Sequence, residues 1–284
     1  MTNTVNTINT VNIENIEDIS TRRDLLAVRK LGIRFGGLQA VTEFDLDLVP
    51  GGLYGIIGPN GAGKTTVFNM LTGIYRPTEG RIVFKSRDWP EGKDMIGEKI
   101  HSFTAAGIAR TFQNVRLFKN LTVLENIEIA LHRNVRYGLA SAFFRTPAMR
   151  RREEEVRDEA AALLERLGLL PHAGKKASGL PYGLQRRLEI ARALATSPTL
   201  LLLDEPAAGM NPQEVDRLAE DIQWLKEEFG LTVLLIEHHM ALVMRICRHI
   251  TVMNFGRTIA DGPPDAIRND RAVIEAYLGK GGKF

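Results

Sequence analysis

Residues Gly58 to Thr66 read GPNGAGKTT, set between a short apolar strand at Leu53 to Ile57 and a helix-forming stretch that ends near Gly73. Glycines 58, 61 and 63, with Asn60 and Ala62 among them, let the backbone turn tightly enough for successive N–H groups to face phosphate oxygens. The N-terminus of the following helix adds partial positive charge. The pattern assigns Lys64 to the β and γ phosphates, the Thr65 hydroxyl to Mg²⁺ and Thr66 to the α phosphate. The chemistry it fits is the gripping of a nucleoside triphosphate.

A phosphate loop alone says only nucleotide, so its companions decide the reaction. Leu200 to Leu203 run straight into Asp204 and Glu205, which puts two carboxylates at the C-terminal end of a buried strand. Asp204 is expected to hold the ion, directly or through water. Glu205 is expected to orient or deprotonate the attacking water. A second apolar strand, LTVLLIEHH, delivers His238 to the same edge of the sheet, where an imidazole can hydrogen-bond the γ phosphate. His239 is expected to point the other way and takes no role.

The elements that position these groups follow from periodicity. From Leu25 to Phe84 the pattern is strand-like, clearest where Phe44, Leu46 and Leu48 alternate with Asp45 and Asp47. Between Met95 and about Leu180 the character is helical, with Val156, Ala160, Leu163, Leu164 and Leu167 on one face. Thr199 to Leu203 and Leu231 to Ile236 read as buried strands, with a helix from Pro212 to Phe229 between them. NFGRTIADGPP closes the core as a hairpin at Gly256, and a last helix runs from about Asp265 to Leu278.

With 284 residues and 44% apolar content the chain can bury a real core. No apolar run approaches the roughly 18 residues of a membrane span. A net charge of +3 is nearly balanced, so nucleic acid is not implied as a partner. The single cysteine, Cys247 in LVMRICRHI, rules out an internal disulfide framework and reads as helix core. The Asn/Thr-rich opening, MTNTVNTINTVNIENIEDIS, is expected to be mobile.

In order along the chain, GPNGAGKTT, Gln113 in RTFQN, LPYGLQRRLEIARAL, LLLLDEP and His238 in IEHHM closely resemble the nucleotide-binding subunit of ABC transporters, from Leu25 to the C-terminus. That resemblance implies an α/β P-loop NTPase fold with a RecA-like core, an N-terminal antiparallel β subdomain and an inserted α-helical subdomain. The core would occupy residues 25–112 and 183–284, the second part ending in a C-terminal helix. The helical subdomain would span 113–182 and the mobile extension 1–24. ATP and Mg²⁺ are implied as ligands. Phe35, in RFGG, would stack on adenine, and Gln113 would link the Mg²⁺ site to the helical subdomain. The catalytic set is then Lys64, Gln113, Glu205 and His238, and the metal set Thr65, Gln113 and Asp204.

The chain departs from the family where the signature usually reads LSGGQ. Leu180, Pro181, Tyr182, Gly183 and Leu184 stand there, so a serine hydroxyl and one glycine are missing. Tyr182 and Gly183, with the helix N-terminus behind them, remain to address nucleotide. Asn211 stands where the family often has Asp.

The LxYG-type signature before QRRLEIAR, together with DEPAAGMNP, IEHHM and VIEAYLG, is similar to the ATP-binding subunit of branched-chain amino-acid importers. This implies membrane permease subunits as partners and a second ATP-binding subunit, identical or different, docked head to tail. It also implies an indirect link to a substrate-binding protein, and a peripheral place on the cytoplasmic face of the inner membrane. The alternatives are a urea or amide importer, an exporter cassette, or a non-transport ABC ATPase acting on nucleic acid or ribosomes. Ribosomal members normally carry two cassettes per chain, and chromosomal ones need a long heptad insertion. The basic cluster of Arg145 and Arg150 to Arg152 reads as a solvated helix end.

Overall fold

Two patterns of strand burial build two sheets. A computed structural model describes residues 24–132 and 147–278. The extension expected to be mobile lies outside the described residues except for Asp24, as does Arg145. The first strands are β1 (Leu26–Phe35) and β2 (Leu38–Leu48). In β2, Phe44, Leu46 and Leu48 are buried while Asp45 and Asp47 are exposed, as the alternation predicts. The fully buried β3 (Leu53–Ile57) leads through the phosphate loop into α1 (Lys64–Leu71). Next come β4 (Glu79–Phe84), β5 (Lys93–Asp94), α2 (Ile100–Ala106) and β6 (Ile108–Arg110).

Among the described residues the α-helices that follow are α3 (Val123–His132), α4 (Pro147–Arg166) and α5 (Tyr182–Leu194). The chain then alternates through β7 (Leu200–Asp204), α6 (Pro212–Glu228), β8 (Thr232–Ile236) and α7 (Met240–Ile246). It ends with β9 (His249–Asn254), β10 (Arg257–Gly262), α8 (Pro264–Asn269) and α9 (Arg271–Leu278).

Strands β2-β1-β4-β5 form an antiparallel sheet. The second sheet has the order β10-β9-β3-β8-β7-β6, parallel throughout except for β10. Because successive side chains of a strand point to opposite faces, each buried strand of this sheet feeds two cores. Leu200, Leu202, Leu234 and Ile236 join the residues of β1, β2, β4 and α1. Leu201, Leu203, Val233 and Leu235 join those of helices α3 to α7. Each fully buried leucine stabilises by about 2 kcal/mol, so the run of four is a major anchor for the carboxylates behind it.

On α4, Val156, Ala160 and Leu164 are buried and Leu163 is half-buried, and Leu167 just past its end is buried too, matching the expected stripe. The β9–β10 hairpin turns through Phe255 (φ 45°) and Gly256 (φ 76°), two positive-φ residues that suit a tight hairpin.

Two expectations need correction. The stretch after Met95 is not helical throughout, since β6 interrupts it between α2 and α3 and pairs in parallel with β7. Three residues are too few to show a period, and only the partner strand defines them. The last helix is two helices, broken at Asp270, whose side chain accepts from the N–H groups of Ala272 and Val273 and so starts a new helix.

Candidate nucleotide-binding and catalytic site

Strands β3, β8, β7 and β6 lie side by side and run parallel, so the segments leaving their C-terminal ends share one edge of the sheet. Those segments carry Lys64, His238, Asp204–Glu205 and Gln113. Gly58 opens the phosphate loop at φ 150°, and a Cβ there would sit 2.1 Å from the Met253 carbonyl oxygen on β9. Gly63 caps α1 at φ 101°, a conformation that L side chains resist. Ala62 is buried, and its carbonyl accepts from Gly256 N–H at 3.0 Å, which ties the loop to the β9–β10 turn. Asn60, Gly61 and Thr65 are exposed, and Thr66 is half-buried.

The Lys64 ammonium is buried and donates to the carbonyls of Gly58 (2.7 Å) and Pro59 (2.9 Å), lying back over the loop it follows. Burial lowers its pKa, while the carboxylates of Glu205 and Asp204 act in the opposite direction.

Asp204 is buried, and its Oδ2 accepts from the Arg110 guanidinium at 2.6 Å. Arg110 also donates to Asn69 and Thr72 at the end of α1 and packs over Phe112. Glu205 adopts φ 46°, left-handed for a residue with a side chain, and its N–H bonds the Ile236 carbonyl at 2.9 Å. Its Oε2 accepts from the Gln113 amide at 2.6 Å and lies 4.0 Å from His238 Nδ1. That last separation is charge-range contact rather than a hydrogen bond. The sequence-predicted set of Lys64, Gln113, Asp204, Glu205 and His238 is therefore brought together.

His239 does not point away, contrary to expectation. Its ring lies 4.4 Å from that of His238, and its Nδ1 is 3.1 Å from Glu237 Oε2. Glu237 is fully buried and was missed in the sequence. One of its oxygens accepts from Ala207 N–H, and the other from His238 N–H, His239 N–H and the His239 ring. With both oxygens already used by protein donors, Glu237, His238 and His239 make a hydrogen-bonded corner rather than a metal-binding triad.

Phe35 is 44% exposed at the end of β1, in edge contact with Tyr75, and so is not part of a core. Tyr182 and Gly183 are not gathered with the other predicted residues. They open α5 and line a separate cavity of about 740 Å³ with Pro181, Met210 and Trp224. Asn211 is engaged in a full capping box with Glu214 at the start of α6.

A parallel sheet carrying a glycine-rich phosphate loop, an acidic pair and a histidine on one edge, flanked by an antiparallel sheet and inserted helices, defines a P-loop ATPase of the cassette type. Residues 41–208 match the family described as ABC transporter, and residues 257–283 that described as branched-chain amino acid ATP-binding cassette transporter. The chain belongs to the ABC transporter family, as an ATP-binding subunit.

Among its relatives, it is 51% identical to the high-affinity branched-chain amino acid transport ATP-binding protein LivG of Escherichia coli K12 over 90% of this chain and 98% of that one. It is 49% identical to BraF of Pseudomonas aeruginosa, a protein of the same description, over 91% of this chain and 99% of that one. The ADP conformation of MJ1267, an ATP-binding cassette of an ABC transporter, superposes with a TM-score of 0.75 at 31% identity, over 90% of this chain and 99% of that one. Among the described residues no helix is long and apolar enough to cross a membrane.

Proposed function

We propose that this chain is the ATP-hydrolysing subunit of an importer for branched-chain amino acids, acting through separate membrane permease subunits. The observation that carries the enzymatic part is the convergence on Glu205, with Gln113 at 2.6 Å, His238 at 4.0 Å and Lys64 electrostatically coupled to it. The 51% identity to LivG supports the substrate class.

In this reading the N–H groups of residues 58–66 and the Lys64 ammonium hold the phosphates, and the exposed Phe35 ring receives the adenine. Glu205 orients the attacking water and takes its proton, held for that task by Gln113. His238 donates to the γ phosphate. The Thr65 hydroxyl, Asp204 Oδ1 and the Gln113 amide oxygen are hard oxygen donors of the kind Mg²⁺ takes, and the ion when bound would neutralise charge on the β and γ oxygens. Tyr182 and Gly183 would face nucleotide held by a second cassette docked head to tail. Residues 113–182 would move with Gln113 between core parts 25–112 and 183–284, passing closure to permeases at the cytoplasmic face of the inner membrane.

The test is uptake of labelled leucine, isoleucine and valine in a strain lacking the gene. Restoration by the native gene and not by a Lys64→Ala copy is expected. Unchanged uptake of all three in the deletion strain overturns the substrate assignment, and a selective defect in urea or amide uptake replaces it.

A further inference from the structure

Helix α5 carries an ion pair that its sequence disguises as surface charge. Arg186 is 2% exposed, among the largest fully buried side chains in the protein, and bonds Glu189 Oε2 at 2.7 Å one turn along. Its remaining hydrogen bonds go to backbone. One guanidinium nitrogen donates to the Phe112 carbonyl, and the other to the carbonyls of Asp204 (2.9 Å) and Glu205 (3.0 Å). Glu189 answers from the other side, its Oε1 accepting from the N–H groups of Phe112 (3.3 Å) and Arg116 (3.2 Å). The pair thus holds both backbone faces of the residue before Gln113, and the two residues of the acidic pair themselves.

We propose that Arg186 and Glu189 are positioning residues for hydrolysis, setting Gln113 and Glu205 in one shared geometry from inside α5. The inference rests on the proposed roles of those two side chains and adds what holds them. Three observations support a positioning role over bulk stability. A buried ion pair is commonly no more stabilising than apolar side chains of the same volume, so packing alone does not call for it. Its contacts outside α5 fall on the two segments bearing the reacting groups, no more than four residues apart within either one. Glu205 sits at φ 46°, a conformation that persists only when its surroundings enforce it, and its carbonyl is one that Arg186 holds. Since α5 opens at Tyr182 and Gly183, a displacement there reaches both loops through these two side chains.

The test compares Arg186→Met/Glu189→Leu with the native full-length chain in melting temperature, affinity for a fluorescent ATP analogue, and kcat and KM for ATP. A melting temperature lowered by several degrees is expected, because the apolar pair leaves the five backbone groups of Phe112, Arg116, Asp204 and Glu205 without their side-chain partners. Affinity should stay within about twofold while kcat falls roughly 10- to 100-fold, because loops displaced by fractions of an ångström lose alignment without losing the phosphate loop. A folded double variant with kcat within about twofold of native overturns the proposal, and so does a parallel loss of affinity and melting temperature. Should the double variant not fold, Arg186→Lys decides. It keeps the charge toward Glu189 but cannot fork to three carbonyls, so about a 10-fold loss of kcat at unchanged affinity is expected, and native kcat overturns the proposal. Glu205→Gln in the otherwise native chain tests the underlying reading separately: normal turnover there defeats the role of Glu205 whatever the α5 variants do.

Discussion

The edge of the parallel sheet and the start of α5 are built to opposite specifications. At the sheet edge Lys64, Asp204 and Glu237 are buried, and each is bonded within its own chain. At the start of α5, Tyr182 is 48% exposed and the cap residue, Pro181, offers no side-chain acceptor to the first turn. A Cβ on Gly183 would meet nothing within 4 Å among the described residues, and Gly183 has no positive φ. One region has its geometry enforced by its own fold. The other retains a glycine that its own backbone conformation does not need.

The largest expected effect tests the enforced region. Glu205→Gln should still bind nucleotide but lose turnover by about 10²- to 10⁴-fold, the range for removing a general base, as read in a steady-state phosphate-release assay. Near-native turnover would remove Glu205 from the mechanism. Lys64→Met should weaken nucleotide affinity by at least about tenfold while melting no lower than the native protein, because the charge it removes is one that burial disfavours. Calorimetry and a thermal melt separate the two effects.

Gly183→Ala sharpens the comparison most. It should raise stability by about 0.5–1 kcal/mol, as alanine does for glycine inside a helix, and leave nucleotide binding to the single chain unchanged. Turnover should nevertheless fall if the segment serves a second cassette, and full activity would show that the exposed turn serves nothing. The smallest effect is expected at Asn211→Ala, where losing the capping box costs about 1 kcal/mol in a denaturant titration with little change in turnover per folded molecule.

The parts of this molecule legible in its sequence are those whose signal is local. The phosphate loop, the leucine strand ahead of Asp204 and the stripe on α4 each announce themselves within a dozen residues. Arg110, Arg186, Glu189 and Glu237 do not, because a charged residue in a string reads as solvated until the fold supplies its partner. Arg186 and Glu189 sit in QRRLEIAR at a spacing that any exposed helix uses for surface pairs. Glu237 lies just past the end of β8, where its carboxylate organises a turn through the N–H groups of His238 and His239 and the His239 ring, so strand alternation does not extend to the two histidines. The break at Asp270 was legible in principle, since an acidic residue just before an apolar turn is a helix-start signal.

The first glycine of the nucleotide loop has a neighbour that changes how damage there should be read. With the Met253 oxygen occupying the place a methyl group would need, Gly58→Ala forces two adjacent strands apart before any ligand arrives. A screen would score such a variant as unable to hold ATP, and the score would be correct. Its origin would be a collision in the scaffold, visible as a lowered melting point in nucleotide-free buffer, with the loop's donors chemically intact.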